Sequence, residues 1–359
     1  MMESQGFKAG DNIRNLRNLL GRKRLSTLLA ICFLTVLPLR VLEAKDDLKK
    51  HAEDLLSKAA ETSNIRAKGS PPFQLTAKLR IQQKDGTFVE AKYLLIWESK
   101  FKWREEISFP DFNETVASSD DNYWSLPADE YRPFVLSRLI ECLDLGIMWR
   151  INPKPKVTKA KEIEQNGVKL ICAKTNEGNS SSQYCVDSNA GTLASEPAFS
   201  GFCPNMVNEY GDYAAWGNRQ FPHSIRVLRD GRLMAEWLVD KLAPEPVPNP
   251  SLFAPPAGVK VRHNSNCLGS KIEKAKLILH PTPVYPESAK FRGISGQVQL
   301  YAIIGQDGIP HALGVIKSAG PELDAAALDV VRKWRYQPTM CSGNPVEVET
   351  MIDVNFELP

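Results

Sequence analysis

The last fifteen residues alternate without a fault. Val346, Val348, Thr350, Ile352, Val354, Phe356 and Leu358 fall on one side, and Glu347, Glu349, Asp353, Asn355 and Glu357 on the other. That period of two predicts a strand with one buried and one wet face. Before it, Leu323, Ala327, Val330, Val331 and Trp334 recur at helical spacing after Pro321, a helix-opening residue. The basic residues around Trp334, Arg332, Lys333 and Arg335, then read as solvated surface. "GQVQLYAIIG" places Val298, Leu300, Ala302 and Ile304 on one face of a strand, Gln306-Asp307-Gly308 turns, and "HALGVIKS" returns antiparallel. "YPESAKFRG" is a short helix entered through Tyr285-Pro286 and stopped by Gly293. The order helix, hairpin, helix, strand predicts two helices on one face of a three-stranded antiparallel sheet.

Upstream, Leu48, Ala52, Leu55, Leu56 and Ala59 share a helical face after the acidic start Asp46-Asp47. A long β-rich region follows. "FQLTAKLRIQQKDGTFVEAKYLLIWESKFKWREEISF" alternates around a turn at Asp85-Gly86, and "SIRVLRDGRLMAEWLV" around one at Asp230-Gly231. One helix interrupts the strands near "RPFVLSRLIECL". Successive hairpins predict a large antiparallel sheet with a few helices, so the fold class is α+β. Residues 243–261 hold six prolines and predict an extended, semi-rigid connection. The domain plan is a leader at 1–44, a β-rich domain at 45–242, a Pro-rich linker at 243–270 and a small domain at 271–359.

Composition changes two points of this picture. Hydrophobic residues at 43% and charged residues at 24% are globular values, and a net charge of +3 excludes a chain built to bind nucleic acid. The leader has a basic run, Arg22-Lys23-Arg24, an apolar run from Leu25 to Leu39, and Ala44 before a polar start. A membrane span needs about 20 apolar residues. The segment therefore reads as an export signal cleaved after Ala44, with an uncleaved inner-membrane anchor as the alternative. Either one puts the remaining chain outside the cytoplasm. Cys142, Cys172, Cys185, Cys203, Cys267 and Cys341 follow the leader, an even number that favours disulfides in an exported chain. Cys172 and Cys185 lie on neighbouring strand-like runs and are expected to pair. Cys267 with Cys341 would staple the linker to the last domain.

The segments "YPESAKFRGISGQVQLYAIIGQDGIP", "SAGPELDAAALDVVRKWRYQP" and "GNPVEVETMIDVNFEL" carry a resemblance. Over residues from about 277 to 359 the chain resembles the C-terminal domain of the TonB family of energy transducers. The resemblance implies a periplasmic domain that adds a short extended segment of an outer-membrane transporter to a sheet edge. The edge strand so implied carries Val346, Val348, Thr350, Ile352, Val354 and Phe356, with outward Glu347, Glu349 and Asp353 limiting self-pairing. The family's force-transmitting members have an uncleaved transmembrane helix with a histidine and a long Pro-rich spacer. Here the apolar segment has no histidine and the spacer is short, so inner-membrane motor proteins are partners only if the leader is an anchor. Residues 46–245 more loosely resemble the periplasmic lipoprotein carriers LolA and LolB, which implies a curved half-barrel. In that reading Trp97, Phe101, Trp103, Phe109 and Trp124 line an apolar cavity, and lipid joins the partners.

The chemistry-bearing residues point away from catalysis. His51, His223, His263, His280 and His311 are scattered without metal-ligand spacing, and no nucleophile elbow or phosphate-binding loop occurs. The expected protein is a non-enzymatic envelope protein without cofactor or metal. It binds an envelope partner, with transport coupling as the further expectation. A carrier of lipid, lipoprotein or another hydrophobic ligand with an appended docking domain is the alternative.

Overall fold

The computed structural model describes residues 45–358, apart from 84, 121, 128–130, 151–153, 178–179, 199–205, 246–247 and 264–270. The leader, Cys203 and Cys267 thus lie outside the described residues. A helix at 45–62 (α1) opens the chain. Five strands follow, Phe73–Gln82 (β1), Phe88–Ser99 (β2), Lys102–Ser108 (β3), Asn113–Ser119 (β4) and Asn122–Leu126 (β5). Helix Phe134–Glu141 (α2) and the single turn Ile147–Arg150 (α3) precede Val157–Gln165 (β6), Val168–Glu177 (β7), Ser180–Asp187 (β8) and Leu193–Pro197 (β9). The meander ends with Met206–Trp216 (β10), Arg219–Arg229 (β11) and Arg232–Pro244 (β12), and the two-residue strand Arg262–His263 (β13) rejoins it.

These strands form one 13-stranded sheet in the order β13-β5-β4-β3-β2-β1-β12-β11-β10-β9-β8-β7-β6. The expected turns are where the pattern placed them, with Asp230 and Gly231 both at positive φ between β11 and β12. One apolar core collects Ala52 and Leu56 of α1, Leu139 of α2, Ile107 of β3 and Val157 of β6. Ile107 and Val157 stand nine strands apart, a flat-sheet distance of roughly 40 Å. The sheet must therefore curl round the helices for both to reach one core. Trp237 sits fully buried at the centre, edge-on to Tyr93 with ring centroids 5.1 Å apart. Its Nε1–H donates to the Leu139 carbonyl at 2.8 Å, a second bond beside that from Cys142 N–H at the end of α2.

The Pro-rich segment is a strap fastened to this sheet rather than a free spacer. Glu245 N–H donates to the Pro72 carbonyl, and Asn249 caps a 3-10 turn at Pro250–Leu252. Phe253 is buried, and its carbonyl accepts from Trp124 Nε1 at 2.9 Å. Arg104 donates to the Leu252 carbonyl, and β13 then pairs with β5.

The second domain comprises Ile272–Glu273 (β14), Lys276–Leu279 (β15), Glu287–Phe291 (α4), Gly296–Ile304 (β16), Pro310–Lys317 (β17), Pro321–Val331 (α5), Arg335–Gln337 (β18), Thr339–Cys341 (β19), Asn344–Val346 (β20) and Val348–Phe356 (β21). Its main sheet is three-stranded, in the order β17-β16-β21. Helix α5 covers one face, where Leu323, Ala327 and Val331 meet Val298, Leu300, Ile352, Val354 and Phe356. The first expected helix is a single turn, α4, which adds Ala289 to this core. Cys172 and Cys185 are directly opposed on β7 and β8 and form a disulfide. Cys341 is also disulfide-bonded, and Cys142 is a buried thiol.

Beside Cys142, burial pushes the Glu196 carboxyl up to about 7, against the opposing pull of hydrogen bonds from Tyr210 and Gly146 N–H. The folded chain then binds this proton more tightly than the unfolded chain does. Stability should fall as pH rises from about 4.5 through 7. Glu196→Gln keeps an acceptor for both donors. Chemical denaturation should show it to be flatter over that range, and more stable than the parent at pH 8 by roughly 3 kcal/mol.

Candidate partner-binding site and its anchorage

Strand β21 pairs with β16 and with no other described strand, so one row of its backbone N–H and C=O groups faces away from the sheet. Ile352, Val354 and Phe356 are buried on the α5 side, and Val348 and Thr350 are half-buried. On the other side Glu349, Met351, Asp353 and Asn355 are exposed. Val346 is not on this strand. It belongs to β20 and pairs with Thr339 in the small sheet β14-β19-β20, because the chain changes direction at Glu347.

Glu347 is also not an outward, solvated charge. It is largely buried against the first domain. Its carboxylate accepts from Tyr131 Oη at 2.8 Å and from Tyr123 Oη, and lies 3.7 Å from Arg262 Nε. Burial, then the Glu347 charge, pushes both phenols well above their ordinary range. Burial alone would lower Arg262, but Glu347 together with Tyr123 and Tyr131 more than offsets it and the guanidinium is held more firmly charged. Tyr123 comes from β5, Arg262 from β13 and Tyr131 from the segment before α2, so three parts of the first domain converge on this residue.

Aromatic contacts extend the junction across the sheet. Tyr131 stacks on His311 of β17 at 4.0 Å, and the Phe134 ring of α2 lies 4.6 Å from Tyr301 of β16. Arg138 stands over both Phe134 and Tyr301 and pairs with Glu141 at 2.8 Å and Glu349 at 3.6 Å. Burial raises the Glu141 carboxyl to about 7, with Arg138 opposing the rise. Gly314 of β17 has no side chain because a Cβ there would lie 2.6 Å from the Phe134 ring. The outer face of the small sheet is therefore docked on α2 at one end and open around Met351 and Asp353.

The five aromatic residues expected to line one cavity separate. Trp97 and Trp103 are opposite each other on β2 and β3 and point to the inside of the curl. They border a cleft of ≈ 470 Å³ with Leu95, Ile147, Arg66 and Lys100. Trp124 is in register with Ala117, which faces Arg104 rather than Trp103, so alternation sends it to the outer face under Phe253. Phe101 is 40% exposed at the β2–β3 turn, and Phe109 pairs with Phe112 at 6.4 Å. His311 contacts Asp307 at 3.0 Å, and His280 lies beside Trp334. Among the described residues no group of three or more His, Cys, Asp or Glu side chains could hold a metal ion.

Residues 281–358 match the family of Gram-negative bacterial TonB protein C-terminal domains. The chain is 31% identical to protein TonB of Xanthomonas campestris pv. campestris over 108 residues, 30% of this chain and 48% of that protein. It is 32% identical to protein TonB of Vibrio cholerae serotype O1 over 77 residues, 21% of this chain and 32% of that protein. The chain thus spans about half or less of the length of these relatives. Among solved structures, a LolA superfamily protein from Nitrosomonas europaea has 13% identity and TM-score 0.39, covering 57% of this chain and 97% of that one. The TonB C-terminal domain of Pseudomonas aeruginosa has 28% identity and TM-score 0.22, covering 24% and 87%. Among the described residues, no helix is long and apolar enough to cross a membrane.

Removing the carboxylate should release the TonB-like domain from the first domain. Glu347→Ala removes the carboxylate that Tyr123, Tyr131 and Arg262 share and should cost about 2–5 kcal/mol of docking. Amide hydrogen exchange in α2 and the β5–β13 pair should rise while β16 and the α5 core stay protected. Gly314→Val, acting by steric clash alone, should give the same pattern.

Proposed function

We propose that this chain is an envelope protein whose TonB-like domain binds an extended segment of a partner by strand addition at β21. The observation that carries the reading is the position of β21 at the edge of a three-stranded sheet, in a domain that matches the TonB C-terminal family. An incoming peptide would satisfy the outward-facing amides and carbonyls of that strand, and its alternate side chains would lie beside Met351 and Asp353 on the open face. Glu347 is held by the first domain, so pairing runs from about Thr350 to Phe356. The partner we favour is the periplasmic segment of an outer-membrane transporter. Coupling of that contact to transport is the further step of this reading. Force transmission depends on the leader remaining in the inner membrane, and a cleaved leader leaves a periplasmic adaptor. No catalytic step, cofactor or metal enters the reading.

A second reading makes the first domain a carrier of a hydrophobic ligand, with the TonB-like domain as its dock. The cleft beneath Trp97 and Trp103 supports it.

Strand addition has a specific signature. Titration with transporter-derived periplasmic peptides should slow exchange of alternate β21 amides by at least about tenfold, because each becomes a ladder donor. Ile352→Pro and Val354→Pro should abolish binding, with circular dichroism confirming that the domain still folds. Protection confined to β17 or the cleft would refute the edge assignment.

A further inference from the structure

The cleft of ≈ 470 Å³ in the first domain is of ligand size. Its walls combine two kinds of group. Trp97, stacked on Phe73 with centroids 5.2 Å apart, and Trp103, paired with it across β2 and β3, form an apolar wall, with Leu95 and Ile147 beside them. Around them stand Arg66, Lys100, Arg150, Glu105, Asp144 and Asn64.

Most of those charges already have partners. Glu105 accepts from Arg132 at 3.1 Å and from Tyr93 at 3.1 Å. Asp144 is paired with Arg150, which also donates to the carbonyls of Ala60 and Leu145. Among the described residues, two of the cations are in no ion pair. Arg66 Nε is buried and has no hydrogen-bond partner among the described residues. Lys100 lies 5.3 Å from the ring of Phe101 and is in no ion pair among the described residues. A buried guanidinium N–H without an acceptor costs free energy that an anionic ligand would recover.

We infer that this cleft is a binding site for an amphipathic anion: a carboxylate, sulfonate or phosphate taken by Arg66 and Lys100, on a compact flat body held against Trp97 and Trp103. Indole plates favour planar bodies through stacking, and a planar guanidinium favours an oxyanion through paired donors. The uncommitted positive charge is what separates this site from a merely apolar hollow. The inference rests on the carrier reading of the first domain and adds the charge and shape of the ligand to it.

A matched pair of fluorescent dyes tests it on the full chain: anilinonaphthalene sulfonate, and phenylnaphthylamine, which has the same body without the sulfonate. The sulfonate should bind with one site per chain and at least about tenfold more tightly than the uncharged dye, the size expected for a charged hydrogen bond. Arg66→Gln should bring the two affinities together by weakening the sulfonate and leaving the uncharged dye unchanged. Trp103→Ala should weaken both. If Arg66→Gln lowers the Tm, Lys100→Gln at the exposed hairpin tip supplies the same test with a smaller drop. Equal binding of both dyes by the parent chain would overturn the anion site and leave the carrier reading standing. Failure of both dyes to bind would remove the carrier reading as well. Sulfonate binding that survives both substitutions would place the anion elsewhere and sink the inference.

Discussion

One buried carboxylate is the charged anchor between the two domains. Glu347 is desolvated between Tyr123, Tyr131 and Arg262, and a charge so placed is tolerable only while its donors stay with it. The three partners come from β5 near the end of the large sheet, from the chain entering α2 and from the strap that pairs with β5. Holding Glu347 therefore requires the strap to be pinned at Phe253 and paired at β13. The same contact sets where β21 begins, because Glu347 is the residue between β20 and β21. A proline-rich segment that could have been a flexible tether becomes part of the junction.

The docking has a consequence for the open sheet. An antiparallel sheet of three strands with a helix on one face has a second face that must be polar, covered or kept small. Here the division runs along the strands. At the end near Tyr301 and Gly314, aromatic residues and a missing side chain admit Phe134. At the other end Asp353 and Asn355 keep the face wet. The unpaired edge of β21 lies along both regions, so a partner strand would meet the docked domain at one end and solvent at the other.

The two proposed sites would recognise different kinds of partner. In the proposed reading, the β21 edge presents repeating backbone groups and would select for an extended chain more than for particular side chains. In the inferred site, the cleft in the first domain would select for shape through Trp97 and Trp103 and for charge through Arg66 and Lys100. Because the curl that forms the cleft and strand β5, whose Tyr123 meets Glu347, belong to one continuous sheet, both proposed sites rest on one scaffold.

Local pattern settled much of this architecture. Period-two alternation marked β16, β17 and β21, Asp-Gly pairs marked the hairpins, and Pro321 marked the start of α5, since each signal depends only on neighbours in the chain. The facing positions of Cys172 and Cys185 followed from two adjacent strands. What alternation could not reveal was which residues meet across long separations. Trp97 and Trp103 share a face because their strands pair in that register, while Trp124 is sent to the other face by one step of the pleat. Glu347 reads in sequence as one more outward charge on an alternating strand. Only the fold brings Tyr123, Tyr131 and Arg262 to it and turns a solvated carboxylate into a buried anchor, because burial and charge pairing are properties of the assembled surfaces and not of the residue's place in the chain.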